Sequence, residues 1–114
     1  MSEIVDRTVL VYVLGLIAEE CGEATQLAGK ALRFGYDTPG APESPFNGMT
    51  ARENLPKELG DIRAAIRFGA EHGLIDLDEV AYWEDMKFAK LMSPHSKTNT
   101  GAPLAPRPTP ATSA

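Results

Sequence analysis

Residues 19–35 read EECGEATQLAGKALRFG and follow directly on an apolar run, VLVYVLGLIA, at 9–18. Together they have the periodicity of one long helix. Glu19, Glu20 and Glu23 interrupt its apolar stripe where the stripe should continue. Residues three and four apart share a helix face, so Glu20 and Glu23 point the same way and Glu19 flanks Glu23. That face reads Leu16, Glu20, Glu23, Leu27, Lys30: acids set between an apolar end and a basic one.

Working outward, this first helix is expected from Ile4 to Phe34, stopped by Gly35 as a residue that accepts a left-handed backbone. The next segment, YDTPGAPESPFNGM, holds three prolines and two glycines and reads as a loop. Thr50 with Glu53 is a capping-box pattern that opens a second helix. Pro56 leaves two alternatives open: a helix from Thr50 that kinks at the proline, or a main helix with Asn54 as N-cap and Pro56 in its first turn. The helix runs through KELGDIRAAIRFGAEH to Gly73. Asp76 and Glu79 start a third, LDEVAYWEDMKFAKLM, which ends before Ser93-Pro94.

Nothing before residue 93 reads as a strand. The expected class is all-α, an antiparallel bundle of three main helices over residues 1–92, followed by a disordered Pro-, Thr- and Ala-rich tail over 93–114. A domain of this size buries only roughly 60% of its unfolded surface, so completion by oligomerisation is expected.

The chain has 114 residues with 16 acids against 11 bases, a formal charge of −5. That balance argues against a nucleic-acid or anionic-membrane surface, both of which need a basic footprint. The lone Cys21 makes an intrachain disulfide impossible and fits a reducing cytosol. The run at 9–18 is too short to span a bilayer and carries no secretory cleavage pattern. A cytoplasmic protein without a membrane or nucleic-acid partner is expected.

The second helix repeats the acidic pattern of the first: Asn54, Glu58, Asp61, Ala65 and Phe68 share a face. If the two helices pack antiparallel, four carboxylates converge. Such a cluster must be protonated, paired with bases or filled by divalent cations, and all-oxygen ligands favour Mg²⁺ or Mn²⁺ over zinc. Gly22 and Gly60 each cost roughly 1 kcal/mol against alanine in a helix, which points to room for a neighbouring backbone or a ligand. Lys30, Arg33, Lys87 and Lys90 supply cations, and a metal cluster flanked by them describes a polyphosphate site.

EECGE (E-E-x-x-E) followed by ELGD (E-x-x-D) resembles the signature of the MazG-like all-α nucleoside triphosphate pyrophosphohydrolases, and DMKFAK at 85–90 resembles that family's later Asn-x-Lys-Phe-x-x-Arg segment. The similarity covers about residues 10–92. It implies Mg²⁺-dependent hydrolysis of a (deoxy)nucleoside triphosphate to monophosphate and pyrophosphate. Glu20, Glu23, Glu58 and Asp61 would hold the metal. Glu19 would be a further ligand or the base that orients water, and Lys87 would contact phosphate. Lys30, Arg33 and Asn54 are further candidates for substrate contact. The family's dimers and tetramers imply a homodimer or homotetramer, and its phosphoribosyl-ATP pyrophosphohydrolases are an alternative substrate class. Three departures stand out: a long gap between Glu23 and Glu58, Asp85 where the family often has Asn, and Lys90 in place of an Arg, which loses the bidentate fork.

Plainer readings stand beside these. The acids fit a solvated face, with Lys57 and Arg63 pairing Glu58 and Asp61. Lys30 and Arg33 suit a helix C-terminus, and Asn54 suits a cap. Cys21 reads as a small buried residue; Phe68, Tyr82, Trp83 and Phe88 read as packing groups, and His72 and His95 as bystanders. Tyr36 and Phe46 are the aromatic candidates for a nucleobase contact. A di-iron bundle needs Glu-x-x-His on two helices, and neither histidine supplies it. A helical adaptor or oligomerisation module is the non-enzymatic alternative.

Overall fold

The computed structural model describes residues 6–39 and 48–93, and among them it has three helices and no strand: α1, Arg7–Phe34; α2, Ala51–Glu71; and α3, Leu77–Met92. The chain divides into two compact units between Leu74 and Ile75, so α1 and α2 form one unit and α3 belongs to the other. No described helix is long and apolar enough to cross a membrane.

The start of α1 falls at Arg7 rather than at Ile4, because Asp6 caps it: its Oδ1 accepts from the Thr8 N–H at 2.8 Å and the Val9 N–H at 3.4 Å. Two of the orphan donors of the first turn are thereby satisfied. At the other end the Gly35 N–H donates to the Ala31 carbonyl, and its φ of 106° takes the chain out of the helix. A Cβ there would meet Thr38 Oγ1 at 2.6 Å, which a turn of the exposed Thr38 side chain relieves, so it is the positive φ that favours glycine.

At the start of α2, Thr50 wins over Asn54 as the cap. The Glu53 N–H donates to Thr50 Oγ1 at 3.1 Å, and Glu53 Oε1 accepts from the Thr50 N–H at 2.9 Å, a complete capping box. Pro56 lies inside the helix and leaves the Arg52 carbonyl without its ordinary i+4 donor. Asn54 is buried, and both its backbone N–H and its Nδ2 donate to the Thr50 carbonyl at 3.0 Å. The helix ends in a Schellman closure: Leu74 N–H donates to Gly69 O, Gly73 N–H donates to Ala70 O, and Gly73 has φ 73°. Asp76 caps α3 through the Asp78 and Glu79 N–H groups.

The packing of α1 on α2 is antiparallel, as three levels of contact show. Tyr12 near the start of α1 meets Phe68 near the end of α2, ring centroids 5.8 Å apart. Glu20 and Glu23 meet Glu58 and Asp61 at mid-length. Leu27 shares a hollow with Ala51 and Leu55 at the far end. Buried positions on α2 are Asn54, Ala65 and Gly69, small or polar, and those on α1 are Val13 and Leu27. Small residues at 65 and 69 let the helices approach closely.

The loop leaving α1 is strapped to α2. Arg52 Nε and Nη2 reach the two oxygens of Asp37 at 2.6 and 3.1 Å, and the Arg52 N–H donates to the Tyr36 carbonyl at 3.1 Å. The same guanidinium carbon stands 4.8 Å from the centre of the Tyr36 ring.

Several expectations need correction. Cys21 is exposed, not buried, since one residue beyond Glu20 turns it about 100° off the seam. Trp83 and Phe88 are largely exposed, and α3 buries none of its residues. Tyr82 and Trp83 instead meet each other edge to face at 5.1 Å. Gly22 and Gly60 have open space where a Cβ would stand, so no neighbouring backbone among the described residues explains them. Phe46, His95 and the tail beyond Ser93 lie outside the described residues.

Candidate functional site

At mid-length of the α1–α2 seam, one carboxylate oxygen from each of Glu20, Glu23, Glu58 and Asp61 lies within 4.8 Å of the others. Each helix contributes an i, i+3 pair on the face turned to its neighbour, and the antiparallel arrangement sets the two pairs at the same level. Glu20, Glu58 and Asp61 are half-buried and Glu23 is exposed.

Burial makes this more than a patch of surface acid. Glu20 Oε1 and Glu58 Oε2 are both shut off from solvent, and among the described residues neither oxygen has a hydrogen-bond partner. An unsatisfied buried carboxylate oxygen is costly, and its cost falls when a proton or a cation arrives. Burial first, then the charges of Glu23 and Asp61, a hydrogen bond with Glu23 and the charge of Glu19 hold the Glu20 carboxyl above its ordinary value.

One base answers the cluster from within. Lys57 Nζ stands 3.0 Å from Asp61 Oδ2 and 3.8 Å from Glu58 Oε1, and these contacts, the Asp61 hydrogen bond foremost, raise its own pKa. The pairing that reads in the sequence as an alternative to convergence thus occurs together with it. Lys57 leaves Glu20 Oε1 and Glu58 Oε2 unpaired. These four carboxylates, with no thiolate and no imidazole among them, could hold a metal ion through oxygen donors alone.

The remaining candidates divide. Glu19 is exposed and outside the group of four, though its charge is felt by Glu20. Asn54 is committed to the Thr50 carbonyl one turn before Glu58. Lys30 is half-buried two turns beyond Glu23, and the Arg33 guanidinium lies 4.8 Å from the centre of the Phe34 ring. Lys87, Lys90 and Asp85 are exposed on α3, in the second unit. His72 packs on Phe68 at 4.5 Å.

The Arg52–Asp37 clasp escapes sequence reasoning, because fifteen residues and a loop separate the partners and no periodicity links them. The Lys57–Asp61 pair does have a sequence signal, the i, i+4 spacing.

Searched against protein-family models, curated proteins and solved structures, the chain matches none of them.

Proposed function

We propose that this chain is a divalent-cation-dependent nucleoside triphosphate pyrophosphohydrolase. The observation that carries the reading is the meeting of Glu20, Glu23, Glu58 and Asp61 with two of their oxygens buried and unpartnered. The order of the acid motifs, E-E-x-x-E then E-x-x-D, resembles the MazG-like signature and adds the substrate class.

In this reading Glu20, Glu23, Glu58 and Asp61 would hold Mg²⁺, which would supply Lewis-acid chemistry at the phosphate. Glu19, exposed beside the cluster, orients the attacking water and takes its proton. The water oxygen bonds to the α-phosphorus, the bond to the bridging oxygen breaks, and pyrophosphate leaves. Lys30 and Arg33 neutralise phosphate charge. A second copy of the chain covers apolar side chains that this one leaves in solvent, Val11 and Leu14 at 57% exposure each among them.

The test is a panel of ribo- and deoxynucleoside triphosphates, with phosphoribosyl-ATP included, incubated with Mg²⁺ or Mn²⁺ while both products are followed by phosphorus NMR. Monophosphate and pyrophosphate in equal amounts, abolished by Asp61→Asn, are expected. Release of orthophosphate alone, or turnover untouched by Asp61→Asn, defeats the reading. Absence of turnover and of any Mg²⁺-dependent stabilisation leaves the adaptor module in its place.

A further inference from the structure

The α1–α2 seam differs on the two sides of the acidic cluster. Toward the start of α1 it is closed: Val13 and Ala65 are each 1% exposed, and Tyr12 meets Phe68 edge to face beyond them. Toward the end of α1 it opens into a hollow of about 340 Å³, lined by Leu27, Ala31 and Leu32 of α1, Ala51 and Leu55 of α2, and Tyr36. Leu27 follows Glu23 by four residues and Leu55 precedes Glu58 by three, so hollow and cluster are successive layers, roughly 5 Å apart along the helices.

We propose that this hollow receives the nucleobase of the substrate and selects it by apolar contact rather than by hydrogen bonds to its edge. The inference rests on the acidic cluster holding the triphosphate. A polyphosphate fixed there leaves the rest of the nucleotide two directions along the seam, and one is filled by packed side chains. The other leads, after a gap about one helical turn long, into a hollow of the size that takes small organic ligands. A pentose bridges such a gap.

The lining then limits what can be read. Among the described residues, every lining side chain is aliphatic except Tyr36, whose phenolic hydroxyl is the one polar side-chain group among them. Tyr36 is held by its carbonyl bond from the Arg52 N–H and by the Arg52 guanidinium against its ring. An aromatic ring with aliphatic walls grips any flat heterocycle. An apolar pocket separates related ligands by about 10- to 200-fold, whereas a site built to pair polar edges reaches about 10⁴-fold or more.

The experiment measures kcat and KM for dATP, dGTP, dCTP and dTTP, with inorganic tripolyphosphate as a competitive inhibitor that has neither base nor sugar. Ala31→Phe fills the hollow, and Tyr36→Ala, at a position in the loop, removes its ring and its contact with Arg52 while leaving the residues of both helices unchanged. Both variants are expected to raise KM for all four nucleotides, Ala31→Phe by about tenfold or more, with kcat and tripolyphosphate inhibition unchanged, the signature of lost uniform binding. The four wild-type kcat/KM values should lie within about 200-fold of one another.

Unchanged KM in both variants overturns the proposal, whether or not Ala31→Phe lowers the melting temperature. If it does, the hollow is a packing seam for other residues of the chain. A wild-type preference of about 10⁴-fold for one base overturns selection by apolar contact. Wild-type protein that neither hydrolyses the nucleotides nor binds tripolyphosphate with Mg²⁺ removes the reading of the acidic cluster, and this inference falls with it.

Discussion

Lys57 Nζ lies 3.0 Å from Asp61 Oδ2, one turn along the same helix, so a tethered cation already sits at the edge of the acidic cluster. Its ammonium shares the charge of Asp61 and, at 3.8 Å, of Glu58. A dication that binds there must share or displace it. Both partners are substantially exposed, so the pair adds little to stability by itself. Its larger effect is on competition for the carboxylates.

Lys57→Met is therefore expected to lower severalfold the Mg²⁺ concentration that half-saturates thermal stabilisation, while the metal-free protein melts slightly lower. A titration of melting temperature against Mg²⁺ reads both effects. If Lys57 instead helped to assemble the cluster, the variant would need more Mg²⁺, and the competition would be refuted.

Glu20 is the acid with the most to lose from being charged. Its folded-state pKa is raised above the ordinary 4.5, by burial first and by its acidic neighbours next. The folded state thus holds this proton more tightly than the unfolded chain does. The resulting stability is fully present below 4.5 and is lost as pH rises through the higher folded value. Glu20→Gln removes that loss. Without metal, the variant is expected to melt above wild type near neutral pH, and level with it in acid, while turnover of triphosphates is abolished. Melting curves across pH in the presence of a chelator check the first part. A variant less stable than wild type near neutral pH would show that the Glu20 carboxylate is supported rather than strained.

The seam was readable because each acidic pair repeats at helical spacing on an amphipathic helix, and packing α1 antiparallel on α2 brings the pairs level. The helix ends were readable where a local chemical signal exists, as at Thr50 with Glu53 and at Gly35. Asp6 gives no clear cap signal, because the apolar residues Ile4 and Val5 before it continue the helical pattern. The hollow beside Leu27 and Leu55 had no such signature. It arises from residues on two helices and a loop, and from small side chains at Ala31 and Ala51 that leave space. Burial of single oxygens on Glu20 and Glu58 is equally a property of the packed pair.

Gly22 and Gly60 flank the cluster on exposed helix surface, with nothing within 4 Å of where a Cβ would stand. Among the described residues nothing requires glycine at either position. Gly60→Ala is expected to stabilise the isolated chain by about 1 kcal/mol through helix propensity alone. If a second copy or a substrate occupies that surface, the same change weakens assembly or raises KM while the single chain gains stability. Denaturant midpoints, paired with sedimentation at several concentrations, distinguish the two. A loss of stability at all concentrations, with assembly unchanged, would mean that the backbone at residue 60 needs glycine for itself.

Asp37 holds the strap between the α1 exit loop and α2, and the Arg52 hydrogen bonds keep its carboxyl below the ordinary 3.8. The sign is opposite to that at Glu20. A depressed folded pKa gives stability that is present above 3.8 and lost as pH falls through the lower folded value. Asp37→Asn deletes that contribution, so the variant is expected to be modestly less stable at neutral pH, the pair being well exposed. The gap to wild type should close on acidification. Urea midpoints from neutral pH down to about 2.5, below the usual Asp value, trace that convergence. Because Arg52 also packs on Tyr36, the variant should show a change in tyrosine fluorescence anisotropy at neutral pH. A gap that persists undiminished in acid would mean that Asp37 acts through its shape and not its charge.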